Sequence, residues 1–237
     1  MSYKFILEKQ DYKGKVLDEY LANGHYRMQE LMFTTSFIYS DINDGISAVF
    51  WLRTDVMNIT ESKTAKSIRK ACKAFSVTFK KAFITDEIEE LYELYKNSIN
   101  HSISPTCFDY LYQNDFENPF DSLMVEIRDG SQLIAIGYYD KGFNSIAGIL
   151  NFYHPNYKKY SLGKYLILCK IDYAIENKMK WYYTGYITIN TTKFDYKIFP
   201  DKNAIEVFLP VEKIWKLYKH FTKESLEIYF IENIIGL

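Results

Sequence analysis

Residues 152–174 read FYHPNYKKYSLGKYLILCKIDYA, and the parsing of this stretch decides the fold. The turn Tyr160-Ser161-Leu162-Gly163-Lys164 sets a hydroxyl and a glycine where a helix begins. Ser161 reads as the N-cap. Unpaired backbone N–H groups and the positive end of the helix dipole make such a turn a place for an anion. Downstream, Leu162, Tyr165, Leu166, Cys169 and Tyr173 recur on one helical face, with Lys164, Lys170 and Asp172 pointing elsewhere. One side of the helix is therefore expected against a sheet.

The neighbouring segments supply that sheet. LIAIGYY at 133–139 and SIAGILNF at 145–152 read as adjacent strands, and WYYTGYI at 181–187 reads as an aromatic strand returning beside them. A helix enclosed by strands in this order predicts a crossover in a layered, mixed central sheet flanked by helices, an α/β (α+β) class. Further out, residues 75–79 read as a first strand, and Thr85 caps a helix running to residue 95. Residues 123–128 and 132–139 pair through Asp129-Gly130-Ser131. Residues 100–120 read as irregular helix and loop lining an acceptor cleft. Residues 204–209 form a strand and 211–221 a helix.

Upstream of Ala74 lies a small α+β module, so the expected division is 1–74 and 75–237. The module ends in a helix at 62–73, with Ala65, Ile68 and Cys72 as its apolar stripe and Lys63, Lys66, Arg69, Lys70 and Lys73 over the rest. Such a helix can dock on a core while facing phosphates, or it can be an ordinary solvated face.

The 237 residues can bury a substantial core without disulfides. Three cysteines, Cys72, Cys107 and Cys169, have no C-x-x-C spacing; neither a metal site nor a disulfide framework is indicated, and all three read as buried apolar residues. No apolar run reaches membrane-spanning length and no secretory segment opens the chain, so a cytoplasmic protein without a membrane partner is expected. A formal net charge of −1 means that any nucleic-acid contact comes from a local patch, and no DNA partner is expected.

Three motifs, HP-x5-SLG-x-YLIL at 154–168, YYTGY at 182–186 and K-x-x-YK at 193–197, together resemble the C-terminal domain of the arginyl-tRNA protein transferases and their bacterial leucyl-transferring relatives. YLANGHYR at 20–27, WLRTDV at 51–56 and SIRK at 67–70 extend the resemblance over most of the chain. It implies a GNAT-like acyl-CoA N-acyltransferase fold. It also implies transfer of arginine or leucine from charged tRNA to the N-terminal amine of a protein or peptide, as in protein arginylation and N-degron pathways. Aminoacyl-tRNA would be a co-substrate, with no resident cofactor and no metal. Two departures stand out: residues 31–50 lack the family's cysteine cluster, and Tyr160 occupies the place where an arginine commonly precedes SLG.

Aminolysis of an ester needs no covalent nucleophile, only alignment, proton removal and stabilisation of an oxyanion. A splayed strand around Asn151-Phe152-Tyr153 is the expected source of oxyanion-binding amides. The donor-binding set is Asn151, Ser161, Leu162, Gly163, Lys164 and, from the K-x-x-YK motif, Lys197. Asp140, His154 and Tyr186 are the candidates for proton handling; Tyr183 is weighed against Tyr186, and their odd separation predicts opposite strand faces. Arg53, Lys66, Arg69 and Lys70 are the candidate tRNA contacts. Two other readings remain open: the same fold with an acyl-CoA donor, and a non-catalytic relative that binds tRNA or peptide N-termini.

Overall fold

The computed structural model describes residues 4–6, 11–40, 45–112 and 118–236. Residues 113–117, inside the expected 100–120 acceptor segment, lie outside the described residues.

Residues Ala48 to Leu52 are buried without interruption, the signature of a strand covered on both faces. They belong to β5 (Gly45–Asp55), which pairs antiparallel with β4 (Phe37–Ser40), β10 (Trp181–Thr188) and β11 (Ile205–Leu209). The sheet has nine strands, ordered β12-β11-β5-β10-β9-β8-β7-β6 with β4 joined at β5. Its other members are β6 (Ser76–Lys81), β7 (Ser122–Asp129), β8 (Gln132–Lys141), β9 (Ser145–Tyr153) and β12 (Ile214–Leu217). All pairings are antiparallel except β9 with β10, so this is a mixed α+β sheet. The division expected at residue 74 does not divide this sheet, because β5 lies within it.

The predicted hairpin forms across Asp129↔Gln132, with Gly130 at φ +59°. The helix expected over 211–221 is instead β12, a turn beyond β11, followed by one 3-10 turn at Tyr218–His220. Ile214 to Leu217 alternate in exposure, and Trp215 Nε1 donates inward to Ala22 O at 2.8 Å. Period two wins there because an unpaired edge of β11 is available to pair with.

Helices cover both faces. α5 (Leu162–Glu176) lies across one face, burying Leu162, Leu166 and Cys169 against Val125, Ile127 and Ala135. α2 (Lys63–Ala71) stacks on α5 through Ala65 and Ile68. On the opposite face α3 (Asp86–Lys96) and α4 (Cys107–Leu111) pack on Ile136, Tyr138 and Phe152. Thr85 caps α3 as expected, its hydroxyl accepting from Ile88 N. A second sheet of three short strands, β1 (Lys4–Ile6), β2 (Tyr26–Met28) and β3 (Leu31–Thr34), is ordered β1-β3-β2. With α1 (Lys15–Ala22), β2 and β3 build an aromatic core against Trp51 and Tyr183. α6 (Lys223–Phe230) closes the far edge over Phe50 and Val207. No helix among the described residues is long and apolar enough to cross a membrane.

Candidate active site

The parallel pair β9–β10 holds for only three register positions, Trp181↔Ser145, Tyr182↔Ile146 and Tyr183↔Ala147. β9 then runs on to Tyr153 and β10 to Thr188 with no pairing between them, so the sheet opens into a fork. Two irregularities sit at the branch point. β9 shifts register against β8 between Tyr138↔Leu150 and Tyr139↔Gly148, and β10 shifts against β5 between Tyr183↔Arg53 and Gly185↔Leu52. Bulges of this kind turn a strand and re-aim its side chains.

The branch point is braced by Tyr26, whose hydroxyl reaches both Gly148 O and Tyr183 O. Gly148 is required there: a Cβ would lie 2.6 Å from the Tyr182 hydroxyl oxygen. Above the brace, Tyr110 Oη donates to Ile149 O at 3.4 Å and Tyr95 packs on Tyr153. Across from them, Tyr186 and Phe194 stand 5.1 Å apart, and Lys197 Nζ lies 4.7 Å from the Tyr186 ring centroid. Burial raises the Tyr26, Tyr110 and Tyr196 hydroxyls above their usual range, Tyr110 to about 12. The fork is thus lined by tyrosines that stay protonated near neutrality.

The bulge in β10 overturns the parity argument for Tyr183 and Tyr186. Tyr183 pairs with Arg53 and Tyr186 with Trp51, which are two residues apart on β5, so both tyrosines share one face and one core. An extra residue at Thr184–Gly185 cancels the odd separation; the glycine inside YYTGY was the available signal.

Ser161 stands at the head of α5 as expected, but in the left-handed region (φ 54°, ψ 45°), and its hydroxyl makes no capping bond. Its carbonyl accepts from Lys164 N and Tyr165 N at 2.9 and 3.0 Å, leaving Leu162 and Gly163 as the two amides ahead of the helical ladder. The Ser161 residue is exposed, whereas Leu162 is fully buried. Gly163 borders the Tyr153 ring, with 3.4 Å between a Cβ placed there and the nearest ring carbon. Lys164 Nζ sits 5.4 Å from the Phe199 ring centroid. The segment 193–199 therefore reaches from β10 to the head of α5.

Other expected positions land differently. Asp140 is fully buried rather than aimed at a cleft: its Oδ1 accepts from Arg27 at 2.8 Å and from Ser122 Oγ at 2.6 Å. Burial raises its carboxyl against the opposing pull of Arg27 and Ser122. His154 lies just past β9, where Nδ1 accepts from Asn156 N at 3.2 Å and caps the following 3-10 turn. Asn151 Oδ1 accepts from Lys170 Nζ at 2.7 Å, so that side chain turns toward α5. Arg69 is held by Asp172 at 2.5 and 2.7 Å and by Glu61 at 2.6 Å, tying α2 to α5. Arg53 is 2.7 Å from Glu206 and stacks on Trp181 and Trp215. Both arginines are thus engaged in ion pairs within the fold, while Lys66 and Lys70 are exposed.

Lys170 is the largest departure from the helical wheel. It is fully buried, donates 2.7 Å bonds to Tyr138 O and Asn151 Oδ1, and burial draws its amine down to about 7. Tyr138 flanks the β8–β9 register shift, where a carbonyl is released from the ladder, and the lysine satisfies it. Only a buried polar residue on the apolar face could have hinted at this. Arg27 and Tyr26 were legible only as part of YLANGHYR. All three cysteines are buried and free, with burial raising the thiols to about 11 for Cys72 and about 12 for Cys107 and Cys169.

The fold and the fork together define a mixed α+β protein whose sheet splays between β9 and β10, and the segment that contains both strands has known counterparts. Residues 87–201 match the family model described as "Arginine-tRNA-protein transferase, C terminus", so the resemblance carried by the SLG and YYTGY motifs holds across this segment. Among curated relatives, the chain is 25% identical to an aspartate/glutamate leucyltransferase of Hahella chejuensis over 72% of this chain and 75% of the relative. It is 33% identical to that of Nitrosococcus oceani over 42% of this chain and 40% of the relative, and 24% identical to that of Leptospira interrogans over 77% and 71%. The solved structure of L-PGS from Bacillus licheniformis aligns with TM-score 0.42 and 10% identity, over 73% of this chain and 50% of that one.

Proposed function

We propose that this protein transfers an aminoacyl group from charged tRNA to the N-terminal α-amine of a protein or peptide, with leucine delivered to N-terminal aspartate or glutamate. The curated leucyltransferases support that choice of amino acid and acceptor; arginine is the other amino acid to test. The observation that carries the reading is the three-position β9–β10 pair, beyond which the β10-facing edge of β9 has no strand partner while its other edge stays paired with β8. The strand order, with a helix crossing between two parallel strands that then splay, is also why we read the fold as GNAT-like. We place the protein in the cytoplasm and its activity in an N-degron pathway, with no resident cofactor.

In this reading the aminoacyl ester lies in the fork. Backbone N–H groups of the outer half of β9 stabilise the tetrahedral oxyanion, and the head of α5 faces a phosphate of the donor's terminal nucleotides. Lys158 and Lys159 are exposed in the turn that leads into that helix head, and Lys66 and Lys70 are exposed on α2, whose C-terminal Cys72 contacts Tyr160. Attack by the neutral amine joins nitrogen to the carbonyl carbon and releases the ribose hydroxyl. The buried, protonated cysteines leave direct aminolysis as the route rather than a thioester.

The test is incubation of the purified chain with labelled leucyl-tRNA or arginyl-tRNA and peptides beginning with Asp, Glu or Ala. Leucine incorporation into the Asp and Glu peptides is expected. Absence of incorporation from either tRNA, together with measurable acetyl-CoA binding by calorimetry, would replace this reading with an acyl-CoA donor.

A further inference from the structure

Lys197 occupies surroundings suited to a neutral amine at the mouth of the fork. Its Nζ lies 4.7 Å from the Tyr186 ring centroid, 4.9 Å from that of Phe194 and 6.0 Å from that of Tyr196. Among the described residues it makes no hydrogen bond or ion pair. The amine rests on bare backbone at Gly185, where φ is +99° and a Cβ would lie 2.7 Å from Nζ. Gly185 is two residues past Tyr183, the last β10 position paired with β9, and itself pairs with Leu52 of β5.

Among the described residues, no anion is placed against Lys197. Its own segment contributes Lys193 and Tyr196, and β10 contributes Tyr186; Tyr95 of α3 and Tyr110 of α4 adjoin Tyr196. The nearby Asp195 is paired with Lys223 at 2.8 Å. Burial, assisted by the Lys193 charge, draws the Lys197 amine down to about 7. The aromatic faces favour a cation, while lost hydration and the Lys193 charge favour the neutral amine. A shielded, half-neutral amine suits proton acceptance better than the donor-phosphate contact expected from the motif.

We propose that Lys197 Nζ takes the proton from the acceptor's α-ammonium at the mouth of the fork. This rests on the aminoacyl-transfer reading. The acceptor nitrogen gives its proton to Lys197 and forms the N–C bond to the aminoacyl carbonyl. The C–O bond to the tRNA ribose then breaks as the lysine ammonium gives its proton to the departing ribose oxygen, and the second proton of the attacking nitrogen passes to solvent, leaving a neutral amide. No other reactant is needed.

Two measurements decide it. Competitive labelling of the whole folded chain with acetic anhydride, read by peptide mass spectrometry across pH, needs no substrate. It should place the Lys197 midpoint near neutrality, against roughly 10.4 for an ordinary lysine; a midpoint near ten overturns the proposal. In the transfer assay, Lys197→Met and Lys197→Arg should each lose about 100-fold or more in kcat/KM. The acid limb of the wild-type pH profile should vanish, and small primary amines should partly rescue Lys197→Ala. An active wild type whose Lys197→Met variant keeps both rate and acid limb overturns Lys197 alone. An inactive wild type overturns the transfer reading itself, and with it this role.

Discussion

At the scale of single residues, Arg27 shows how one side chain joins distant parts of the chain. Nη1 bonds Asp140 and Ser122, Nη2 donates to Leu111 O at 2.7 Å, and the guanidinium lies 4.4 Å from the Phe120 ring centroid. With the Arg27 and Asp140 side chains only 2% and 0% exposed, neither charge is shared with water. Truncating Arg27 to alanine strands a buried carboxylate and should cost about 3–5 kcal/mol of stability. Combining it with Asp140→Asn should restore part of the loss, read from urea midpoints of the double-mutant cycle. The sequence shows the arginine within a motif, but nothing in the linear order points to a partner 113 positions away. Asp140 looked available for catalysis because its strand position was legible and its neighbours were not.

At the scale of elements, the helix–strand alternation around residues 133–187 follows from periodicity and holds in the structure, whereas bulges and edge pairing do not follow from it. The SLG turn is a case where a residue sits against its own preference. Ser161 adopts φ 54° without a side-chain bond to support it. A left-handed residue with a Cβ is disfavoured by roughly 1–2 kcal/mol. Ser161→Gly should therefore raise stability by up to about 1 kcal/mol while leaving the helix intact, measured by thermal and urea unfolding. Should stability fall instead, the hydroxyl contributes an interaction that outweighs the conformational cost.

At the scale of the whole molecule, the buried Lys170 amine and the half-buried Lys197 amine set a pH dependence that no single element shows. Lys170 and Lys197 are both drawn down to about 7, chiefly by burial. The unfolded chain, with ordinary lysines near 10.4, holds more protons than the folded chain between about pH 7 and 10. The two amines therefore make stability rise with pH from about 7, and their full cost is present below that. The three buried thiols oppose the rise once unfolded cysteines ionise near roughly 8.5, and the raised tyrosines add to the reversal above about pH 10, because the unfolded state then loses protons first. Urea midpoints should climb from about pH 7 to 8, with a shallower slope in Lys170→Met; an equal slope would show that Lys170 titrates normally.

The sequence by itself determined the helix at 162–176, the strands on either side of it, the α2 stripe and the burial of the cysteines. Each of these depends on local periodicity or side-chain chemistry. It also carried the resemblance to the transferase family, because motif order is a property of the linear chain. Tertiary structure alone decided that β5 enters the large sheet, that β9 and β10 part after three positions, and that Lys170 turns inward. It alone decided, too, which charges are neutralised by partners and which remain exposed. Those outcomes depend on hydrogen bonds and desolvation between residues far apart in sequence, and such energies exist only once the chain has brought the groups together.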